Sequence, residues 1–425
     1  MRILRIGSIG PSVELLQLAL NRAGFGGLET DGIFGVKTDG ALRRFQAAEE
    51  LRADGVVGRE THRALLPWYT GSRIHRIVRG DTLWRLARRY DSEVEAIRVA
   101  NPALQENNLE IGAALVIPLP FAVVPTTIRW CAALVGYCVQ GLQARYPFLA
   151  AGEIGRSALG KPLWRLRIGG GERRVLYNAS HHANEWICTP LLLKFCEELA
   201  AAFAGGEKLA GICAAALLSR AAITLVPAVN PDGIDLVTGE LQGGEAYREA
   251  LRMARDYPRF AFPEDWSANL RGLDLNLQYP AGWERARAIK FAQGITSPAP
   301  SGFVGPAPLS APESRALYDY SLALCPALTL SYHTQGRVIF WRYDGQEPPG
   351  ARQIGEALAH ASGYALADTP PDASWAGYKD WFIDSFNRPG YTVEAGAGKN
   401  PLPLKDFDTL YAENLPLLIQ AALLA

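Results

Sequence analysis

Asn178-Ala179-Ser180-His181-His182-Ala183-Asn184-Glu185-Trp186 joins a strand-like run, Arg174 to Asn178, to a helix-like stretch, Thr189 to Phe203. A bend of that kind lets His182 and Glu185, three residues apart, turn toward one point. His333, at the end of the apolar run in Ser331-Tyr332-His333, can complete the set. Two histidines and a carboxylate, with a fourth position left to water, describe a catalytic zinc site. The spacing alone is weak, because capping and hydrogen-bonding residues at a bend would look the same.

The surrounding residues, 121–425, alternate strand-like and helical stretches. Ile223 to Val229, Leu328 to Tyr332, Val338 to Trp341 and Tyr391 to Glu394 read as further strands; Arg352 to Ala361 and Leu410 to Leu424 read as helices. Such alternation predicts an α/β domain with a largely buried sheet. Its chemistry is expected at strand ends, where the residues above fall.

Four more segments follow in order: Asn230-Pro231-Asp232-Gly233, Trp266 to Asn276 (Trp-Ser-Ala-Asn-Leu-Arg-Gly-Leu-Asp-Leu-Asn), Gly377-Tyr378-Lys379-Asp380-Trp381 and Thr392-Val393-Glu394-Ala395-Gly396. Together with the two histidine segments they resemble the zinc carboxypeptidase family. The likeness is nearest to its bacterial γ-D-glutamyl-L-diamino acid endopeptidase branch. That resemblance implies a mixed sheet flanked by helices, with one Zn2+ per catalytic domain on His182, Glu185 and His333. It makes Glu394 the general base, has Arg271 polarise the scissile carbonyl, and has Asn276 help hold substrate. His181 has no ligand role in the pattern and is read as structural.

Departures from the pattern are informative. Ordinary carboxypeptidases place an arginine after the motif's asparagine to bind a terminal carboxylate; here Leu277 follows Asn276. The substrate-side tyrosine also lacks a clear equivalent, since Asp372 to Tyr378 offers only Trp375 and Tyr378 as aromatics. Lys379 is the expected partner for the extra carboxylate of diaminopimelate, with a solvent-facing lysine as the alternative.

Residues 1–70 carry a repeat. Asp31-Gly32-Ile33-Phe34-Gly35 with Thr38 and Ala41-Leu42 recurs as Asp54-Gly55-Val56-Val57-Gly58 with Thr61 and Ala64-Leu65. Each Asp-Gly marks a tight turn, and each threonine stands where it can cap the next helix. A small all-α domain follows, which resembles the type 1 peptidoglycan-binding family. Residues 71–120 read as βααβ, from Ile74-Val78 through Gly80-Asp81-Thr82-Leu83-Trp84 and Asn101-Pro102 to Ile117-Pro118. They resemble a LysM module, a binder of N-acetylglucosamine-containing glycan, with the groove expected near Gly80 to Leu83 and Asn101 to Leu104. Trp84 is expected in its core, with a stacking platform for sugar as the alternative. Pro118, Pro120 and Pro125 mark the boundary with 121–425.

Composition sets the outer limits. The chain has 425 residues, and Lys+Arg and Asp+Glu both count 43, so no basic surplus exists for binding nucleic acid. No apolar run approaches a membrane span, and Met1 to Gly7 lacks the apolar core of a secretory signal. The six cysteines form no CxxC pair, and Cys188 and Cys196 read as buried reduced thiols. The expected protein is a modular murein hydrolase whose partners are peptidoglycan glycan and stem peptides. It is expected in the cytoplasm, or at spore or wall after release. Its alternatives are an ordinary carboxypeptidase or a non-catalytic wall binder; oligomeric state is not legible.

Overall fold

In the computed structural model, which describes residues 2–105, 109–371 and 373–425, the repeated segments build helices α1 (Pro11–Arg22), α2 (Val36–Ala48) and α3 (Arg59–Thr70). Each Asp-Gly turn needs a glycine, because Gly32 and Gly55 sit at φ 73° and 72°. Each turn is held from the preceding helix by a buried glutamine. Gln17 Nε2 reaches Asp31 Oδ1 (2.7 Å) and Thr38 Oγ1 (3.2 Å), while its Oε1 accepts the Gly32 N–H (3.0 Å). Gln46 repeats this with Asp54 (3.0 Å), Thr61 (3.1 Å) and Gly55 (2.9 Å). The threonines are therefore not caps. Gly35 and Gly58 occupy the cap positions, and Thr38 and Thr61 lie inside the first turn as partners of the glutamines.

Next come β1 (Ser72–Arg76), α4 (Leu83–Arg89), α5 (Val94–Ala100) and β2 (Ala114–Pro118), with β1 and β2 antiparallel. Thr82 caps α4 by accepting the Arg85 N–H at 3.2 Å. Asp81 instead accepts the Val78 N–H (2.8 Å) and pairs with His75 (2.8 Å). Trp84, expected in the core, is 61% exposed beside Arg88. The inward face of α4 is already taken by Leu83, Leu86 and Ala87, and the tryptophan sits off that stripe.

Helix α6 (Ala132–Arg145) follows. The chain divides into two compact units, Met1–Ala150 and Ala151–Ala425. Residues 121–150 pack with the first of these units: the Tyr137 hydroxyl lies 3.2 Å from His62 and its ring stacks on Tyr69 at 5.1 Å.

The second unit runs β3 (Ala150–Arg156), β4 (Pro162–Ile168), β5 (Arg173–Ala179), α7 (Cys188–Gly205), a hairpin of β6 (Lys208–Leu209) and β7 (Ile212–Cys213), α8 (Ala214–Arg220) and β8 (Ala221–Val226). It continues through α9 (Pro231–Val237), α10 (Gly244–Asp256), α11 (Trp283–Ala292), α12 (Pro312–Leu324), β9 (Leu328–His333) and β10 (Val338–Phe340). It closes with α13 (Ala351–Ser362), β11 (Ala365–Ala367), α14 (Tyr378–Phe386), β12 (Gly390–Glu394) and α15 (Phe407–Leu424).

Eight strands form one sheet in the order β11-β10-β12-β9-β5-β8-β4-β3. The central four, β12, β9, β5 and β8, are parallel, while β10 and β4 join antiparallel. The sheet is mixed and flanked by helices. All of β8 and β9 is buried, as parallel strands covered on both faces require. β8 ends at Val226, earlier than its apolar run, because Pro227 cannot donate to a ladder. Strands β3 and β4 went unforeseen: Glu153, Arg156, Arg165 and Arg167 interrupt their apolar pattern.

Candidate functional site

The bend after β5 is built on Ser180, which sits in the left-handed region at φ 58°. A non-glycine residue there is strained, by roughly 1–3 kcal/mol. The Ser180 hydroxyl compensates, donating to the Glu185 carbonyl at 3.2 Å and meeting the Thr189 hydroxyl at 3.0 Å. His182 and the single turn Ala183–Glu185 follow. His333 and Glu394 end the adjacent strands β9 and β12 and are register partners.

Three side chains converge. His182 Nδ1 lies 2.9 Å from Glu185 Oε1, His333 Nδ1 lies 2.8 Å from Glu185 Oε2, and the two Nδ1 atoms are 3.3 Å apart. His182, Glu185 and His333 offer one ligand atom each within 4.8 Å of one another. Two imidazole nitrogens and a carboxylate aimed at one centre fit zinc. The outer nitrogen of His182 faces Asp274 Oδ1 at 3.1 Å, an arrangement that fixes a ligating histidine's tautomer. Asp274 itself accepts the N–H groups of Asn276 (3.1 Å) and Gly302 (3.0 Å).

Burial works against ionising Glu185 and Asp274, yet their histidine neighbours hold both carboxyls down at about 2. Glu394 goes the other way: burial, aided by nearby Glu185 and opposed by His333, pushes it up to about 7. Two carboxyls in one site thus have opposite protonation tendencies, the pattern expected where one is a ligand and the other moves protons.

Behind the ligands the packing is dense. His181 is buried, meets the Tyr279 hydroxyl at 2.9 Å and stacks on His333 with ring centroids 5.6 Å apart. Asn230 donates to the carbonyls of His181 and Ala268, both at 3.0 Å, tying three of the sequence segments together. Cys188 and Cys196 are buried free thiols.

In front lies a cleft of about 210 Å³ whose lining includes His182, His333, Glu394, Asn276, Leu277, Lys290 and Lys379. Asn276 uses its side-chain oxygen on the Tyr378 N–H at 3.0 Å, which leaves its amide N–H groups for a ligand. Lys379 lines the cleft but is not a free cation. It is 3% exposed, donates to the Arg342 carbonyl (2.7 Å) and Thr369 (3.2 Å), and is ion-paired with Asp380 at 2.5 Å.

Three other candidates are not among the residues that line the cleft. Tyr378 is fully buried with its hydroxyl on Ser321 at 2.9 Å, because the start of α14 turns it against Tyr279 and Trp381. Trp375 is equally unsuited, packed against Tyr343 with its N–H on Pro371; Asp372, which opens that stretch, lies outside the described residues. Arg271 does not line the cleft. Asn269 accepts the N–H groups of Arg271 and Leu273 and makes a tight turn through Gly272 at φ 70°, which puts Arg271 at an exposed tip in a recess with Arg252 and Asp256. Asp274 and Lys290 received no role from sequence. Asp274 stood inside a quoted motif, two residues before Asn276, whereas Lys290 carried no signal beyond its charge.

Residues 137–416 match the zinc carboxypeptidase family model, residues 9–65 a peptidoglycan binding domain and residues 75–118 a LysM domain. Over 281 residues the chain is 40% identical to gamma-D-glutamyl-L-diamino acid endopeptidase 1 of Lysinibacillus sphaericus, covering 66% of this chain and 69% of that one. It is 39% identical over 269 residues to the uncharacterized protein YqgT of Bacillus subtilis (strain 168), covering 63% and 70%. Among solved structures, carboxypeptidase A of Helicoverpa armigera superposes with a TM-score of 0.54 at 16% identity, over 84% of this chain and 99% of that one. That likeness speaks for the fold alone.

Proposed function

The chain belongs to the zinc carboxypeptidase family, and from that membership we propose that it hydrolyses the amide between the γ-carboxyl of D-glutamate and a diamino acid, meso-diaminopimelate, in peptidoglycan stem peptides. One observation carries the choice of bond. Leu277 lines the cleft in the place where ordinary members put an arginine, and leucine cannot anchor a C-terminal carboxylate. The leaving side is then free to continue into further residues. The relative in Lysinibacillus sphaericus is named for this activity, and the modules at 9–65 and 75–118 suit a wall substrate.

His182, Glu185 and His333 would hold the zinc, and Asp274 would keep His182 in the tautomer that leaves Nδ1 unprotonated. Zinc bound there supplies a Lewis acid for the scissile carbonyl and makes water more acidic. Glu394, at the cleft edge and poised near neutrality, takes a proton from the attacking water and delivers it to the leaving amine. The Asn276 amide donates to substrate. Lys379, neutralised by Asp380, shapes the floor rather than binding a carboxylate. Arg271 has no part in this scheme.

The N-terminal modules tether the enzyme to polymer through two weak sites, gaining avidity when both engage one strand. The exposed Trp84 is a stacking surface for sugar. The place of action is bacterial wall or wall fragments; among the described residues no helix is long and apolar enough to cross a membrane.

The test offers the zinc-loaded chain L-Ala-γ-D-Glu-meso-diaminopimelate, with and without a terminal D-Ala, beside a hippuryl-type α-peptide. Release of L-Ala-D-Glu from both stem peptides is expected. Preferential loss of the α-peptide's C-terminal residue would make it a simple carboxypeptidase.

A further inference from the structure

Lys290 stands in the last turn of α11, half-buried, on the lining of the cleft that holds His182, Asn276 and Glu394. Among the described residues its ammonium makes no hydrogen bond or close ion pair. The other enclosed lysines differ. Lys379 is committed to Asp380, Thr369 and the Arg342 carbonyl, and Lys161 to Asp232 and Asp235. A cation in the last turn of a helix is favoured by the backbone dipole, which explains its sign there. It does not explain why the side chain lines a cleft with no carboxylate in direct contact among the described residues, where partial desolvation is costly until an anion arrives. Its positive charge also reaches Asp274, helping to hold that carboxylate ionised.

We propose that Lys290 is the subsite for a substrate carboxylate in the peptidase cleft. This rests on the γ-glutamyl reading above and sharpens it. A D-glutamate linked through its γ-carboxyl keeps its α-carboxylate free, and meso-diaminopimelate keeps a second carboxylate on its side chain. Both present the same chemistry to an ammonium. An α-peptide with neutral side chains offers neither. The lysine therefore supplies the charge recognition that Leu277 gives up and that Lys379 and Arg271 are not placed to provide.

The test uses full-length, zinc-loaded Glu394→Gln protein, with and without Lys290→Met, and reads peptide binding by calorimetry. Three peptides serve: L-Ala-γ-D-Glu-meso-diaminopimelate, the same with the glutamyl α-carboxylate amidated, and the same with L-lysine replacing diaminopimelate. Lys290→Met is expected to weaken the first by about 10- to 100-fold, the worth of a charge-assisted hydrogen bond, and Lys290→Arg to retain most of the affinity. The peptide on which Lys290→Met has no effect identifies the carboxylate: the amidated one points to glutamate, the lysine one to diaminopimelate. Equal weakening of all three peptides, or of none, overturns the subsite. Cleavage assays on unaltered enzyme separate the two levels. If only the α-peptide is cut, the γ-glutamyl reading fails and takes the subsite with it; if stem peptides are cut and Lys290→Met discriminates nothing, the subsite alone fails.

Discussion

Glu394 stands directly opposite His333 in the parallel pairing of β12 with β9. Neighbouring strands lie roughly 4.8 Å apart, so the proposed base and a proposed metal ligand are spaced by the sheet itself rather than by loops. Sites mounted on strands hold geometry more tightly than sites on loops.

Replacing Glu394 by glutamine should leave zinc content unchanged while lowering turnover by about 10² to 10⁴-fold, the usual worth of general acid–base help. His333→Ala should lose the metal as well. Metal analysis beside stem-peptide hydrolysis separates the two, and full activity in the Glu394 variant would refute its role.

In the metal-free protein, burial holds the Glu394 carboxyl up to about 7. The folded state then binds this proton more tightly than the unfolded chain, so stability is greatest below the ordinary carboxylate range and falls as pH rises through about 7. Glu394→Gln should flatten that fall, giving a higher melting temperature than the parent above pH 7 and little difference near pH 5. Thermal melts of both proteins, stripped of metal, across that range are the check. Parallel pH curves would show that burial of the charge is not felt.

Lys379→Ala should act on folding more than on substrate choice. It would strand the buried Asp380 carboxylate, a loss typically of about 3–5 kcal/mol. Replacing both residues by apolar ones should restore part of that. Urea unfolding followed through the peptidase unit reads the effect, and a variant as stable as the parent contradicts it.

Gln46→Ala leaves Asp54, the Gly55 N–H and Thr61 without their shared partner. The N-terminal unit should lose about 1–3 kcal/mol for the unsatisfied groups, while hydrolysis of small soluble peptides is untouched. Denaturation monitored in that unit, alongside peptide turnover, tests both halves.

Trp84→Ala should reduce co-sedimentation with sacculi without lowering the melting temperature, since the ring is 61% exposed. Destabilisation with unchanged binding would return Trp84 to a packing role.

Residues whose chemistry is unusual for their setting are legible in the sequence: His333 and Glu394 end strands β9 and β12, and His182 and Glu185 lie on the bend that follows β5. So is Leu277, an apolar residue where an arginine belongs. What sequence does not convey is direction. Tyr378, Trp84 and Arg271 were placed in the right segments, but the side to which a helix start or a four-residue turn sends a side chain depends on which neighbours already fill the interior. Leu83 and Leu86 decide Trp84; Tyr279 and Trp381 decide Tyr378. Lys290 was invisible because its meaning lies in missing partners, and a missing partner has no sequence signature.

The paired glutamine clips of the first unit have a consequence for synthesis. Gln17 grips only chain up to Thr38, and Gln46 only chain up to Thr61, so each clip closes on residues made shortly after it. With contacts this short in sequence, the two clips can close one after another as the chain leaves the ribosome, and the later packing of α3 on Tyr137 waits for α6.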